Sequence, residues 1–270
     1  MSAGEFILAD GAARIYEDQK VPNVFAPLAA ATLRHLPPLD GDRILDLACG
    51  TGILARTLRE RAPAETSIVG ADRDGAMLAV AAEVADPAAG LIEWHEANVM
   101  DLPFADGAFS KLYCQQGFQF FPDEIAALGE MRRVLQPGGR LCMTIWKGDS
   151  ELFEPIAEVL GRHFDGAMAA KAMLPFSYRG RDGLMGRIAE AGFAEISRED
   201  LPIDRLIEDT HDAIDGEIAA SPVAVDLAPA DPDLMRRIVG ECREALSRFR
   251  EDGVFKLRQT ADIYLATASG

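Results

Sequence analysis

The sequence predicts an α/β fold built on a doubly wound, mostly parallel sheet. Strand-like and helix-like segments alternate through the first half of the chain, as in proteins that place a helix after each parallel strand. The strand-like segments are near-continuous apolar runs, which is typical of strands covered by helices on both faces. A glycine turn, Gly50-Thr51-Gly52, follows the first strand and opens the first helix. Ligands bind at this position in such sheets.

The segments before residue 147 support this prediction in order. Each predicted strand is short and rich in apolar residues, and each predicted helix is ended by glycine, proline or a polar turn. The strands are "RILDLAC", "TSIVGAD", "LIEWHEANV", "FSKLYCQQ" and "RLCMTIW", and the helices are "GILARTLRERA", "GAMLAVAAEVAD" and "PDEIAALGEMRRVL", the last ended by "PGG".

The pattern loosens after Trp146. An amphipathic segment, "LFEPIAEVLGRHF", is followed by a helix at 181–192, the strand "FAEISREDLPI" and an acidic helical stretch at 206–230. The chain closes with the helix "DPDLMRRIVGECREALSRFRE" and the strand "FKLRQTADIYLATA". We find no repeat or linker, so we expect one domain. Its parts are a helical cap at 1–39, a ligand-binding core at 40–147, and lid insertions plus the final helices and strands at 148–270.

Composition and charge exclude several classes of function. The 270 residues are 49% hydrophobic and carry a net charge of −17, which argues against nucleic acid and anionic membrane surfaces as partners. The N-terminus lacks the features of a secretory signal, and no apolar run has the length of a membrane span. Four cysteines without a CxxC pair and four scattered histidines suggest a reducing cytoplasm and no metal site. The oligomeric state is left open.

An acid inside the first strand narrows the choice of ligand. "GTGILA" fits the GxGxxG/A dinucleotide pattern, and Asp72 lies about twenty residues further on, so NAD and other adenosine ligands both remain possible. Asp46 lies four residues before Gly50. Its carboxylate would repel a pyrophosphate and attract a cationic amine or sulfonium. S-adenosylmethionine carries both cations. The alternative for Asp46 is a hydrogen bond to backbone in the turn.

Five motifs then occur in order over residues 40–147. "ILDLACGTG", "VGADRD", "EANVMDLPF", "LYCQQGFQFFPD" and "EMRRVLQPGGRL" resemble the motifs of the class I S-adenosylmethionine-dependent methyltransferases, in their UbiE-like (type 11) small-molecule branch. The resemblance implies a Rossmann-like seven-stranded sheet with an antiparallel last strand and helical lid insertions. S-adenosylmethionine would be the cofactor and S-adenosylhomocysteine the product. The cofactor-binding positions that it implies are Asp46, Ala48, Gly50, Gly52, Asp72, Arg73, Met77, Asn98, Val99 and Gln115.

Two departures from the family pattern bear on function. Asn98 stands where an aspartate is common, but its amide oxygen can still accept from the adenine amino group. The fourth motif has "CQQG" in place of the NPPY-type signature of enzymes that methylate nitrogens of nucleic acids and proteins, which favours a small-molecule acceptor. "YEDQKVPNVFAPLA" resembles the helix before the core in small-molecule members. There Tyr16 would lie near the methionine end of the cofactor, or else anchor the core.

Candidates for the acceptor side are less well defined. Gln116, Phe118, Trp146 and Tyr178 are candidates to orient or stack on an acceptor, and Phe118, like Phe120 and Phe121, has a place in the core as its alternative. The core motifs contain no obvious base, so Tyr16 and His211 are the catalytic candidates. His211 comes first because histidine titrates near neutrality and lies in the expected lid. The other ionisable candidates of the insertions are His163, Tyr178, Asp212 and Glu217, and each has a solvated surface role as its alternative.

We therefore expect a methyltransferase that acts on a small, partly apolar organic acceptor, in a setting such as natural product biosynthesis. O- or N-methylation is the first expectation, and C-methylation remains open. An NAD(P)-linked oxidoreductase is disfavoured by Asp46 and by the missing Tyr/Lys pair. A second alternative keeps the fold and binds S-adenosylmethionine but catalyses another reaction, or only binds. Holding acceptor and methyl in line supplies up to about 7–11 kcal/mol, against about 3–5 kcal/mol from a base.

Overall fold

The computed structural model describes residues 12–270, and within them the strands form one eight-stranded sheet. The strands are β1 Arg43–Leu47, β2 Ser67–Asp72, β3 Glu93–Glu96, β4 Phe109–Gln115, β5 Leu135–Trp146, β6 Phe193–Glu208, β7 Arg250–Glu251 and β8 Val254–Ala268. Their order is β3-β2-β1-β4-β5-β8-β6, with β7 paired to β8. Strands β1 to β5 are parallel, and β8 runs antiparallel to β5 and β6. This confirms the predicted sheet, and the strand beyond the expected seven is the two-residue β7.

The helices begin where the sequence supplies caps. Asp74, Asp123 and Asp231 each accept two backbone N–H groups at a helix start, which satisfies donors that the helix leaves unpaired. Their bounds are α1 Ala12–Ile15, α2 Ala26–His35, α3 Ile53–Arg61, α4 Gly75–Val84, α5 Glu124–Val134, α6 Phe153–His163, α7 Gly166–Ala172, α8 Leu184–Glu190, α9 His211–Ala219, α10 Ala224–Leu227 and α11 Pro232–Ala245. Short 3-10 turns cover 87–89, 118–120, 174–176 and 247–249.

Two hydrophobic clusters cover the two faces of the sheet. Neighbouring residues of a strand alternate between them, so Ile44 belongs to one cluster and Leu45 to the other. Helices α2, α3, α6, α9 and α11 contribute to the first cluster, and α5 and α8 contribute to the second. A sheet with helices on both faces is the doubly wound arrangement, and its ligands bind at the carboxyl ends of the parallel strands.

The segment before β1 is helical, as expected for the cap. Tyr16–Phe25 forms a π-helix that continues into α2, and the Ala26 N–H donates to the Val21 carbonyl five residues earlier. Residues 1–11 of the predicted cap lie outside the described part of the chain. Between residues 12 and 270, no helix has the length and apolar character needed to cross a bilayer.

Strand β6 is longer than predicted. Residues 206–208, expected to be helical, continue the strand to Glu208 and pair with β8 from Lys256 to Val254. The physical reason is that residues 201–208 alternate between buried and exposed, which is the period of a strand with one covered face. Strand β5 ends at Trp146, opposite Ala261 of β8. The stretches 202–208 and 254–260 therefore project beyond the carboxyl edge of β5, and we call them the overhang.

Candidate active site

A cavity of about 430 Å³ lies at the carboxyl edge of the sheet. Segments after β1, β2, β3 and β4 form one end of it, and the π-helix, α6 and the overhang form the other. The cavity brings together most of the residues that the sequence predicted for a cofactor. Those lining it are Ala48, Gly50, Asp72, Arg73, Met77, Asn98, Val99 and Gln115, with Tyr16, Gln116 and Trp146 from the catalytic and acceptor candidates.

The two glycines of the turn have different roles. Both Gly50 and Gly52 have positive φ, at 56° and 79°, a backbone conformation that glycine adopts at little cost. A Cβ added to Gly50 would meet nothing within 4 Å, so this residue opens onto the cavity. A Cβ on Gly52 would lie 2.3 Å from the Trp94 ring. Gly52 does not line the cavity, and its missing side chain makes room for Trp94 rather than for a ligand.

Asp72 joins the loops at the ends of β1 and β2. Its carboxylate accepts the N–H of Gly50 at 2.7 Å and the N–H of Asp74 at 3.0 Å. Burial raises the pKa of Asp72, and hydrogen bonds from the backbone of Asp74, Gly50 and Arg73 only partly offset this effect. A carboxylate oxygen can accept more than one hydrogen bond, so the side chain can still accept from a ligand. Asp72 can therefore hold two ribose hydroxyls and, at the same time, fix the Gly50 turn. The second role was not foreseen from the sequence.

Asp46 lies under the same turn. Its side chain is buried and accepts the N–H of Ala55 in the first turn of α3 at 3.0 Å, which is the backbone hydrogen bond that the sequence left as an alternative. It lines a smaller cavity of about 30 Å³ with Tyr16 and Gln115, next to the main one. Burial raises the pKa of Asp46 to about 8, and repulsion from Asp72 adds to the effect. A cationic group placed there would favour the ionised carboxylate.

The loop after β3 presents Asn98, Val99 and Met100 to the cavity. The Asn98 Oδ1 atom already accepts the N–H of Met100 at 3.0 Å. The side chain therefore shapes its own turn, as asparagine commonly does, and keeps one lone pair for an adenine amino group.

The glutamines after β4 hold the strand ends in place. Gln116 has φ of 60°, an unusual backbone conformation that often marks functional sites. Its Oε1 accepts the N–H of Trp146 at 2.9 Å. The Gln115 side chain donates to the Phe25 carbonyl at 3.3 Å, and its Oε1 atom is buried without a hydrogen-bond donor in residues 12–270. A buried acceptor of this kind calls for a ligand donor.

Tyr16 lies where the two cavities meet and stacks on Phe25 with ring centroids 5.0 Å apart. Burial and the nearby Asp72 and Glu17 raise the pKa of Tyr16 far above its ordinary value. The hydroxyl stays protonated at neutral pH. Tyr16 can donate a hydrogen bond to a ligand, and it is a poor proton acceptor.

Two predicted acceptor residues belong to the core instead. Phe118 is fully buried and packs edge-on against Phe121 and Tyr178. The Tyr178 hydroxyl lies 3.3 Å from the Arg187 guanidinium. Neither residue lines the cavity. The aromatic wall of the cavity is formed instead by Phe25, Phe120, Phe121, Trp146, Phe153 and Phe176.

None of the ionisable candidates of the insertions lines the cavity, but one of them, Glu217, contacts residues that do. His211 is the first residue of α9 and does not line the cavity. Asp212 is exposed, and His163 pairs with Glu241 at 2.8 Å. Glu217 is buried behind the cavity wall. Segments 148–180 and 206–230 do contribute wall residues, and their closure over a ligand stays a prediction.

A buried charge cluster was missed by the sequence analysis. Lys20 of the π-helix donates to the Glu217 carboxylate and, at 3.0 Å, to its backbone carbonyl. Arg205 of β6 donates to the same carboxylate at 2.7 Å. Lys20 and Arg205 line the cavity. A signal was available, because Arg205 occupies an inward position among Leu201, Ile203 and Ile207 in the alternating strand.

The donor set fits S-adenosylmethionine and gives no sign of a metal. Gly50 leaves open space beside the cavity, Asp72 offers lone pairs, and the buried Oε1 of Gln115 lacks a donor. These suit a ligand with ribose hydroxyls and an ammonium group. Throughout the described part of the chain, no group of three or more His, Cys, Asp or Glu side chains is placed to hold a metal ion.

Comparison with known proteins gives consistent results. A family model described as a methyltransferase domain matches residues 44–139. The chain is 40% identical over 164 residues to a demethylmenaquinone methyltransferase of Thermus thermophilus, covering 56% of this chain and 74% of that protein. It is 38% identical over 102 residues to a 2-phytyl-1,4-naphtoquinone methyltransferase of Synechococcus elongatus, covering 37% of this chain and 44% of that protein.

A solved structure shows the same fold over nearly the whole chain. The phosphoethanolamine N-methyltransferase 2 of Haemonchus contortus, in complex with S-adenosyl-L-methionine, superposes with a TM-score of 0.61. The match covers 97% of this chain and 58% of that one, at 18% sequence identity. At this identity the likeness concerns the fold alone.

Proposed function

The chain belongs to the class I S-adenosylmethionine-dependent methyltransferases, and we propose that it methylates a ring carbon of a small hydroxylated aromatic acceptor of the quinol type. The observation that carries the proposal is the composition of the cavity of about 430 Å³. One end has the Gly50 turn and Asp72, and the other is walled by Trp146, Phe153 and Phe176. Aromatic walls suit a flat, largely apolar acceptor.

The names of the relatives support quinones as the class and carbon as the methylated atom. Two of them refer to demethylmenaquinone and 2-phytyl-1,4-naphtoquinone methylation, and a relative from Geotalea daltonii, 40% identical over 101 residues, is named a ubiquinone/menaquinone biosynthesis C-methyltransferase. On this basis C-methylation replaces O- or N-methylation as our first hypothesis.

The side chains around the acceptor agree with a ring activated by its own hydroxyl. When bound, S-adenosylmethionine supplies an electrophilic methyl group on a positively charged sulfur. Among the described lining residues, the carboxylates Asp72 and Asp74 belong to the cofactor end, and the aromatic end has none. An electron-rich hydroxylated ring needs no strong base to react at carbon. There the ring carbon would bond to the methyl carbon as the S–CH3 bond breaks and its electron pair stays on sulfur, giving S-adenosylhomocysteine, and the ring would become aromatic again by losing its hydrogen as a proton to water.

The chain's own contribution is then positioning. Gln116 holds the end of β5 through the Trp146 N–H, and Trp146 lies 6.3 Å from Phe176 between ring centroids. The two rings contact each other and form one aromatic wall of the cavity, and packing against such a wall can fix the plane of an aromatic acceptor. Orientation can supply up to about 7–11 kcal/mol of the barrier, which exceeds the contribution of a single base.

Methyl transfer to defined acceptors tests the proposal. Cofactor with a labelled methyl group is incubated with the protein and either 1,4-dihydroxynaphthalene or its oxidised quinone. We expect label in the hydroquinone product, attached to carbon by NMR, and none with the quinone. With cofactor below saturation, the Asp72→Ala variant is the control with reduced transfer, and Leu91→Ala, an exposed position outside the cavity, is the control with unchanged transfer. Label on oxygen, or transfer to neither compound, would overturn the proposal.

A further inference from the structure

The cluster at the aromatic end of the cavity carries an excess of positive charge. Lys20, Arg205 and Glu217 are 7%, 3% and 5% exposed. They come from three elements that are distant in sequence: the π-helix, β6 and α9. Two cations face one carboxylate, so the cluster has a formal charge of +1. Burying an unmatched charge is costly unless a counter-charge or hydrogen bonds compensate it.

Donors of the cluster remain available on the cavity side. The Lys20 ammonium uses two of its three hydrogens on Glu217, and it lies 5.2 Å from the centroid of the Phe153 ring. Arg205 uses its Nη2 on the Glu217 carboxylate, and the side chains of Lys20 and Arg205 both line the cavity. The ammonium and guanidinium hydrogens that are not used on Glu217 can therefore reach a ligand there.

Among residues 12–270, the surroundings of the cluster offer no second carboxylate. The charged groups that act on Lys20 are Glu217 from α9 and Arg205 from β6. The other described residues lining this end are apolar or neutral, among them Phe153, Ser221 and Gln259. A plain structural tie between the π-helix and α9 would need one cation for one carboxylate. The second cation is surplus to that role.

We propose that Lys20 and Arg205 bind an oxyanion of the aromatic acceptor, with Glu217 holding both cations in place. This inference rests on the proposed function and specifies its substrate class. The anion is either the ionised ring hydroxyl or a carboxylate on the ring. An oxyanion at this position completes the hydrogen bonding of Arg205 and balances the charge of the cluster. An ionised hydroxyl also makes the ring carbons more nucleophilic, which is what methylation at carbon requires.

Binding of three naphthalene probes tests the inference. With S-adenosylhomocysteine present, affinities for 1-naphthol, 1-naphthoate and naphthalene are measured by calorimetry at fixed pH. We expect the two oxygen-bearing probes to bind at least about tenfold more tightly than naphthalene, because charge-assisted hydrogen bonds are each worth a factor of ten or more. The ratio of 1-naphthol to 1-naphthoate shows which oxyanion the site prefers.

Charge variants separate anion binding from a structural role. Lys20→Met lowers the cluster charge to 0, Glu217→Gln raises it to +2, and the double variant returns it to +1. Affinity for 1-naphthoate should fall about tenfold in the first, rise in the second and recover in the third, with naphthalene binding changed less than twofold. Losses of equal size for 1-naphthoate and naphthalene in both single variants would overturn the inference and leave the cluster a structural tie.

A measurement on the unaltered protein covers the case in which the variants fail to fold. The absorption spectrum of bound 1-naphthol is followed against pH, and we expect it to ionise at least one pH unit lower than free 1-naphthol. An equal or higher ionisation midpoint contradicts the inference. Failure of this inference and failure of the proposed function give different results. Anion binding without methyl transfer would contradict the proposed function alone. Methyl transfer to carbon without a preference for anionic probes would contradict this inference alone.

Discussion

The two ends of the cavity differ in charge and in construction. The cofactor end carries the acids Asp46, inside β1, and Asp72, the last residue of β2, and both accept backbone N–H groups of the segment that follows β1. The acceptor end carries the cations Lys20 and Arg205, contributed by a π-helix and by the overhang of β6. Each end is therefore complementary to a ligand of opposite charge. The difference in charge determines the orientation of the ligands, because a cationic cofactor binds favourably at the acidic end and an anionic acceptor at the basic end.

The construction of each end explains what can be changed without loss of the fold. Asp72 and Asp46 both hold backbone N–H groups as well as facing the ligand side. Within residues 12–270, the side-chain hydrogen bonds of the acceptor-end cations go to Glu217. Changes at the cofactor end should therefore disturb structure and binding together, and changes at the acceptor end should mainly alter binding.

The largest effect is expected at Gly52, which separates packing from binding within one turn. Gly52→Val places a Cβ against the Trp94 ring and forces an unfavourable φ. Overpacking costs about 1–3 kcal/mol and the φ about 1–2 kcal/mol, so we expect urea unfolding to show a loss of about 2–5 kcal/mol in the free energy of unfolding. Gly50→Val, with open space at its Cβ, should stay folded and lose cofactor affinity. Equal unfolding curves for the two variants would contradict this division.

The next effect is at Asp72. Asp72→Ala removes two ribose contacts and the tie to the Gly50 N–H, so calorimetric titration should show S-adenosylmethionine affinity lowered at least about tenfold. Asp86→Ala is the control, because it removes the same charge from an acid that caps a short turn outside the cavity. Unchanged affinity in the first variant, or equal losses in both, would remove Asp72 from the site.

The contrast also explains how much the sequence could predict. The cofactor end follows from local patterns, because parallel strands bring their carboxyl ends to one edge and each motif carries its own turn. The glycine motif alone assigns Gly52 to the ligand. Its true neighbour, Trp94, lies in β3 about forty residues further along the chain, and no local pattern indicates that contact. Lys20 and Glu217 lie 197 residues apart. Their meeting depends on the length of β6 and its register with β8, which no local pattern determines.

A smaller, pH-dependent effect is expected at Asp46. With its pKa at about 8, the carboxyl is neutral below that pH in the free protein. A cationic ligand group favours the ionised form and lowers the pKa, so binding releases a proton and affinity rises as the pH increases towards 8, by at most tenfold per unit. Titration with S-adenosylhomocysteine in two buffers measures the released proton. The Asp46→Asn variant should release fewer protons on binding. If the number of protons released were the same in both proteins, Asp46 would be excluded as their source.

The smallest effect is expected at His211, the residue first chosen as the base. It begins α9 after the Thr210 cap, its side chain is 39% exposed, and it lines neither end of the cavity. A proton acceptor must come within hydrogen-bond reach of the acceptor, directly or through one water. We therefore expect His211→Ala to change kcat less than twofold, with unchanged KM for both ligands. Lys20→Met, from the same side of the molecule, should raise KM for the acceptor. A hundredfold fall in kcat for His211→Ala would show that α9 moves its first turn into the cavity during turnover. The acceptor end would then contain a base that its resting arrangement keeps outside.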